Sequence, residues 1–123
     1  MRTRILPLAA AALLAAAAPA HAQSAADCQS VEVKWTVPEY AVNGHFTLNV
    51  PGQEIVNPWS DERTAMIRGK VKNLEIDGNQ IAFTTSELHE VTITVDENCN
   101  VIALTGTGES RNEGSYDITL GKE

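Results

Sequence analysis

Apolar and polar residues alternate with a period of two through most of the chain after residue 30. Over residues 31–37 every odd position is apolar and every even position is polar. A similar alternation recurs over 46–50, 74–77, 89–95 and 114–120, and further segments of strand character cover 65–72, 80–83 and 101–107. Successive side chains of a β-strand point to opposite faces, so this pattern is typical of half-buried strands. It predicts about eight short strands and no long helix.

The clearest predicted turn lies at Gly78-Asn79. With these two residues as the loop, three pairs face each other across a hairpin: Asp77 and Gln80, Ile76 and Ile81, Leu74 and Phe83. Apolar residues then meet apolar partners on one face, which specifies the register of the two strands. A loop at Asp77-Gly78 would lose this match. The sequence therefore predicts a two-residue hairpin within residues 74–83.

The stretch from Gln53 to Thr64 has no clear period and is predicted to be irregular. Ser60 precedes two acidic residues, and this arrangement predicts a single helical turn with Ser60 as its cap. Trp59 lies in the same stretch. Two roles are open for it: packing over one end of a small barrel as a lid, or anchoring a contact with another protein. We expect the lid.

The short links between predicted strands favour antiparallel pairing of neighbours, as in a meander. An up-and-down barrel and a two-sheet β-sandwich both satisfy this pattern. Cys28 precedes the first predicted strand and Cys99 precedes the seventh. Because odd-numbered strands of a meander start at the same end, a bridge between these cysteines fits the barrel easily, and we favour the barrel. The chain resembles lipocalin-like barrels in strand pattern only.

The N-terminus has the three-part pattern of a secretory signal. Met1–Arg4 is basic, residues 5–18 are uncharged and rich in Ala and Leu, and Ala20-His21-Ala22 has small residues where a signal peptidase cleaves. An apolar run this short does not span a bilayer comfortably, so we predict cleavage after Ala22 and a periplasmic or extracellular location. The predicted organisation is a signal over 1–22, a polar leader over 23–30 and one antiparallel β-domain over 31–123.

Export bears on the state of the two cysteines. Cys28 and Cys99 both belong to the predicted mature chain, and an oxidising destination favours a disulfide between them. The alternative is a lipid-modified Cys28. The acidic residue immediately before it, Asp27, fits a lipoprotein processing site poorly, so we favour the disulfide.

The chain is acidic, with a formal net charge of −7. Removal of Arg2 and Arg4 with the signal leaves seven basic residues against 16 acidic ones, a net charge of −9. Such a chain is repelled by nucleic acid and by anionic lipid surfaces, so neither is expected as a general partner. We also expect no membrane span after signal cleavage.

Four of the seven mature basic residues fall within ten positions: Arg63, Arg68, Lys70 and Lys72. We call these four residues the basic cluster. The last three share one face of the strand predicted over 65–72. One interpretation is a solvated outer face that pairs with Glu75 or Glu90 on neighbouring strands. The other is a positive stripe that docks an anionic ligand or an acidic protein partner.

Candidates for catalysis or metal binding are few. His45 has the outward parity of its strand and His89 stands at the start of another, so each is expected to be structural or exposed. Residues 96–100 match the opening of a calcium-binding EF-hand loop, but Val101 stands where that loop requires Gly and Thr107 where it requires Glu. A polar hairpin turn explains these residues. We predict no catalytic residue, no metal site, no cofactor and no enzymatic activity.

Two functional hypotheses remain. The first is a non-catalytic binding or inhibitor-type module that contacts another protein through its loops, the basic cluster or Trp59. The second is a carrier that holds a small ligand in the barrel interior. The residues predicted to face inward are numerous enough to fill a barrel of short strands, which favours the first hypothesis. They are Val33, Trp35, Phe46, Leu48, Ile76, Ile81, Phe83, Val91, Ile93, Tyr116 and Ile118. We expect a monomer.

Overall fold

Eight β-strands make up most of the chain that the structure describes. The structure, a computed structural model, describes residues 24–62, 66–110 and 114–121. The strands are β1 Ser30–Val37, β2 Val42–Asn49, β3 Glu54–Ser60, β4 Val71–Asp77, β5 Gln80–Thr85, β6 Glu90–Val95, β7 Val101–Ser110 and β8 Gly114–Leu120. Short 3-10 helices, Ala25–Asp27 and Pro38–Tyr40, precede β1 and β2.

All eight strands belong to one antiparallel sheet, which curls into a half-barrel with the order β3-β2-β1-β8-β7-β6-β5-β4. β1 joins β8, and β3 and β4 form the two edges. These edges meet at an isolated bridge between Glu54 and Lys70, which we call the seam. The prediction of a small, barrel-like, all-β antiparallel domain is confirmed. The strands form one continuous sheet rather than the two packed sheets of a sandwich.

Side chains from opposite walls of the curled sheet meet in its interior. The rings of Phe46 on β2 and Phe83 on β5 lie 6.4 Å apart in an edge-to-face contact. Four strands separate β2 from β5 in the sheet, so this contact requires the two walls to close on each other. Ten of the eleven residues predicted to face inward are buried, and the eleventh, Ile76, is partly buried. Side chains therefore fill the interior where these rings meet.

The N-terminal segment covers one end of the half-barrel. Cys28 and Cys99 form the predicted disulfide, with their Cα atoms 5.8 Å apart. The N–H of Ala25 donates to the carbonyl oxygen of Gly78 at 2.8 Å, so the same segment also binds the β4–β5 turn. Ala25 and Cys28 are both buried. The starts of β1 and β7 thus lie at the same end of the sheet, as the strand parity predicted.

The prediction of an irregular stretch over residues 53–64 is wrong for most of its length. Glu54–Ser60 is strand β3, which pairs with β2. The register shifts by one residue within this pairing, and Asn57 has a φ of 53°, so β3 contains a bulge. The bulge breaks the period of two, and Pro58 has no N–H for a ladder bond, which hides the strand in the sequence. Ser60 is the buried last residue of β3, and its hydroxyl donates to the carbonyl oxygen of Glu62. Residues 63 and 64, which the predicted helical turn would include, lie outside the described residues.

The strand predicted over 65–72 is confirmed at Val71 and Lys72, which belong to β4, and is wrong for residues 66–69. Residue 65 lies outside the described residues, residues 66–69 have no strand structure, and β4 begins at Val71. Gly69, with a φ of 102°, turns the chain out of the extended conformation. Ile67 is fully buried. This segment therefore packs into the core instead of lengthening the sheet.

The hairpin prediction is confirmed at its turn. The two pairs next to Gly78-Asn79 face each other as predicted: Asp77 with Gln80 and Ile76 with Ile81. Farther along β4, Asn73 has a φ of 56° and the register shifts by one residue at a second bulge. The third predicted pair, Leu74 with Phe83, is consequently not part of the ladder.

Candidate functional site

A stacked aromatic pair is exposed near one edge of the sheet. Trp59 on β3 faces His45 on β2 in the strand register. The centroids of their rings are 5.4 Å apart and the ring planes differ by 19°. Trp59 is 49% exposed, whereas the next residue, Ser60, is buried. The predicted lid role of Trp59 is wrong, because alternation along β3 places its ring on the outer face.

Polar groups surround this pair. Lys34 on β1 faces His45 on the other side of β2. The carboxylate of Asp61, just past the end of β3, accepts a hydrogen bond from the N–H of Asn43 at 3.0 Å. An indole ring in such surroundings can contact an apolar or cationic group of a partner, while its neighbours exchange hydrogen bonds with that partner. We call Trp59, His45, Lys34, Asn43 and Asp61 the aromatic platform.

A second surface feature is an open cleft at the seam. Its volume is about 480 Å³, and residues 52–55 and 69–71 line it. Both strands at the seam carry features that hinder pairing with another strand. In β3 the bulge at Asn57 is followed by Pro58, and in β4 Lys72 is followed by the bulge at Asn73. Such features protect sheet edges, so we do not expect a partner to bind by adding a strand here.

The described members of the basic cluster do not lie on one strand. Arg63 lies outside the described residues, and only Lys72 belongs to a strand. Arg68 forms an ion pair with Glu87, with Nε and Oε1 3.3 Å apart, and neither predicted partner, Glu75 nor Glu90, takes part in this pair. Both side chains of the pair are 46% exposed, so its contribution to stability is small. The prediction that three of these residues share one strand face is wrong, because the chain turns at Gly69.

One buried pair of side chains combines a hydroxyl with an imidazole, the two groups that serve as nucleophile and base in many enzymes. His89 is 4% exposed, and its Nδ1 lies 2.9 Å from the Oγ1 of Thr85. Burial lowers the pKa of His89 below its usual value, and the nearby carboxylate of Glu87 raises it by a smaller amount. The sequence left two roles open for each histidine, structural or exposed. His89 is buried and has a structural role, whereas His45 is exposed on the outer face.

Acid is expected to destabilise the fold through His89. Its pKa is lower in the folded chain than in the unfolded chain, so the unfolded chain binds more protons below about pH 6.5. The free energy of unfolding therefore falls as the pH drops through that value, by about 1.4 kcal/mol for each unit of pKa difference. Urea unfolding at about pH 7.5 and pH 5.5 measures the loss. The non-titrating variant His89→Asn should lose less over this interval, and equal losses would contradict the prediction.

The turn over residues 96–100 is held by Asp96. Its carboxylate accepts the N–H groups of Asn100 at 2.9 Å and Asn98 at 2.8 Å, and these hydrogen bonds lower the pKa of Asp96. The residues that match part of a calcium loop therefore stabilise a polar turn. Within residues 24–62, 66–110 and 114–121, no group of three or more His, Cys, Asp or Glu is arranged to hold a metal ion.

Comparison with known proteins gives no relative from which a function could be transferred. No protein-family model matches the chain, and no curated protein or solved structure matches it. In the described part of the chain, no helix has the length and apolar character needed to cross a bilayer. The function must therefore be inferred from the side chains themselves.

Proposed function

We propose that the protein is an exported, non-catalytic binding module that contacts another protein through the aromatic platform. The observation that carries this proposal is the half-exposed indole of Trp59, stacked on His45 with ring centroids 5.4 Å apart. A large ring that is already held in one orientation loses little conformational freedom on binding. Trp is also enriched among the residues that dominate protein–protein affinity.

The disulfide supports the proposed location in the periplasm or outside the cell. The signal pattern over residues 1–22 lies outside the described residues. The Cys28–Cys99 bridge is of the kind that persists in oxidising compartments. Because the sulfur of Cys28 is part of this bridge, it is not available for lipid attachment.

The non-catalytic part of the proposal is supported by the state of the buried hydroxyl–imidazole pair. The Oγ1 of Thr85 accepts the N–H groups of Glu87 and His89, each at 3.2 Å, and also contacts the imidazole. An oxygen with its lone pairs engaged in this way, on a residue that is 4% exposed, is poorly placed to attack a substrate. The pair therefore stabilises the loop in which it lies, through the hydrogen bonds to Glu87 and His89.

The alternative function, a small-ligand carrier, has less support. A carrier needs space between the walls of the barrel. The edge-to-face contact of Phe46 with Phe83 occupies that space from both sides. The platform, in contrast, is on the outer face and needs no change in the fold to reach a partner.

Replacement of Trp59 by alanine is expected to weaken partner capture at least about tenfold, since central aromatic residues of interfaces commonly contribute more than 1.4 kcal/mol. The free energy of unfolding should change by less than about 1 kcal/mol, because Trp59 lies on the outer face with about half of its surface exposed. The immobilised protein is incubated with the exported fraction of the cells that produce it. Captured polypeptides are then quantified by mass spectrometry.

The matched control is Ile102→Ala, which removes a side chain that is 55% exposed on β7, away from the platform. This variant should capture the same polypeptides as the unmodified protein. Equal capture by Trp59→Ala and the unmodified protein would refute the platform as the binding surface. An equal loss in both variants would show that the effect is not specific to Trp59.

A further inference from the structure

The hydrogen bonds around Thr85 determine the protonation state that His89 needs in this fold. A hydroxyl has one hydrogen to donate and two lone pairs with which to accept. The Oγ1 of Thr85 accepts two N–H groups, those of Glu87 and His89, at 3.2 Å each. Its own hydrogen must therefore go to the Nδ1 of His89, 2.9 Å away. The imidazole is neutral in this arrangement, with its hydrogen on Nε2.

A proton on Nδ1 is incompatible with this arrangement. It would place an N–H against a hydroxyl oxygen whose two lone pairs are already used, so at least one of the three hydrogen bonds would break. The charged ring would also remain nine-tenths or more out of water, since His89 is 4% exposed. Glu87 is the charged group of the described residues that acts on the ring, and it is partly neutralised by its ion pair with Arg68.

The loop that contains Thr85 and His89 also contacts the segment before β4 that closes the seam. Ser86 donates its N–H to the carbonyl oxygen of Lys70, and the N–H of Lys70 donates to the Oγ of Ser86, each at 2.9 Å. The ion pair of Glu87 with Arg68 adds a third connection between the two segments. Lys70 in turn forms the isolated bridge to Glu54 across the seam. The path from His89 to the seam is thus made of direct contacts.

We propose that the loop over residues 86–89 is a pH-sensitive latch that keeps the seam closed while His89 is neutral and releases Lys70 from Glu54 when His89 is protonated. Release would widen the cleft lined by residues 52–55 and 69–71. This regulation goes beyond the proposed binding function, because it concerns the seam and not the aromatic platform. It can therefore hold or fail independently of partner capture through Trp59.

Amide hydrogen exchange followed by NMR tests the latch at about pH 7.5 and pH 5, after correction for the intrinsic pH dependence of exchange. The amides of Lys70 and Ser86 should lose protection about tenfold for each pH unit below the ordinary His pKa. The loss should level off once the pH falls below the lower pKa that His89 has in the closed loop. The amides of β1, at the centre of the sheet, should remain more protected than those of Lys70 and Ser86 at both values. That difference identifies a local opening.

Two variants complete the test. His89→Asn keeps an acceptor for the hydroxyl of Thr85 and does not titrate, so the protection of Lys70 and Ser86 should become insensitive to pH over this interval. Thr85→Val removes the hydroxyl that makes the three hydrogen bonds and should lower the protection of Lys70 and Ser86 at both pH values. Thr85→Ser keeps a hydroxyl and should respond to pH as the unmodified protein does. The latch is refuted if Lys70 and Ser86 exchange only together with β1, or if His89→Asn loses their protection as the unmodified protein does.

Discussion

Replacement of both Cys28 and Cys99 by serine is expected to lower the free energy of unfolding by about 4 kcal/mol. The bridge joins residues 71 positions apart, and in the chain-entropy model a cross-link of that span removes this much conformational freedom from the unfolded chain. A domain of this size has roughly 5–15 kcal/mol of stability in total. The double variant should therefore unfold at a much lower urea concentration, and part of the population should be unfolded at physiological temperature.

Urea unfolding at neutral pH, followed by circular dichroism, measures this loss. The unmodified protein after reduction with a thiol reagent is the matched control, because it lacks the bridge but keeps both side chains, and it should unfold together with the double variant. The N-terminal segment should also be held less firmly, since the bridge is one of the contacts that hold it to the half-barrel, beside the Ala25–Gly78 hydrogen bond. A loss below about 1 kcal/mol would contradict the stabilising role of the bridge.

The substitution Gly44→Ala is expected to lower the free energy of unfolding by about 3 kcal/mol, at the upper end of what overpacking costs. A Cβ at position 44 would lie 2.2 Å from Cζ2 of Trp35 and 2.5 Å from the carbonyl oxygen of Trp59. Trp35 is 1% exposed and has no room to move away. The absence of a side chain at Gly44 thus allows the indole of Trp35 to lie against the backbone of β2.

A double-mutant cycle with Trp35→Phe shows whether this contact is the cause. The smaller ring leaves space for the new Cβ, and it also removes the indole N–H of Trp35, which is buried without a hydrogen-bond partner in the described structure. The double variant should be more stable than the sum of the two single losses predicts, by about 1 kcal/mol or more. Strict additivity in urea unfolding would show that Gly44 and Trp35 do not conflict in this way.

The strands that keep a strict period of two were predictable from the sequence. β1, β2, β5, β6 and β8 bury alternate residues over most of their length, and ten of the eleven residues of the inward set follow from that alternation. β3 was missed because an extra residue at Asn57 shifts the phase of the pattern halfway along the strand. The same effect at Asn73 displaced one of the three predicted hairpin pairs. A bulge depends on the partner strand, so a single segment does not reveal it.

The candidate site was predictable only in part, for the same reason. Trp59 was identified as a residue of interest, but its position on the outer face depends on the register of β3 against β2. His45 had the correct outward parity, and its stacking on Trp59 follows once that register is known. The latch at His89 could not be predicted, because it depends on the contact of Ser86 with Lys70, residues that lie on different segments.

If the exported protein binds another polypeptide through the aromatic platform, as we propose, the complex should be present in the material that the cells export. Native mass spectrometry of the protein purified from its own exported fraction tests this most directly. We expect a mature chain that begins at Gln23, contains one disulfide and carries a second polypeptide, and we expect the Trp59→Ala protein prepared in parallel to lack that polypeptide. A bound small molecule in place of the polypeptide, or the same complex in the Trp59→Ala protein, would contradict the proposed function.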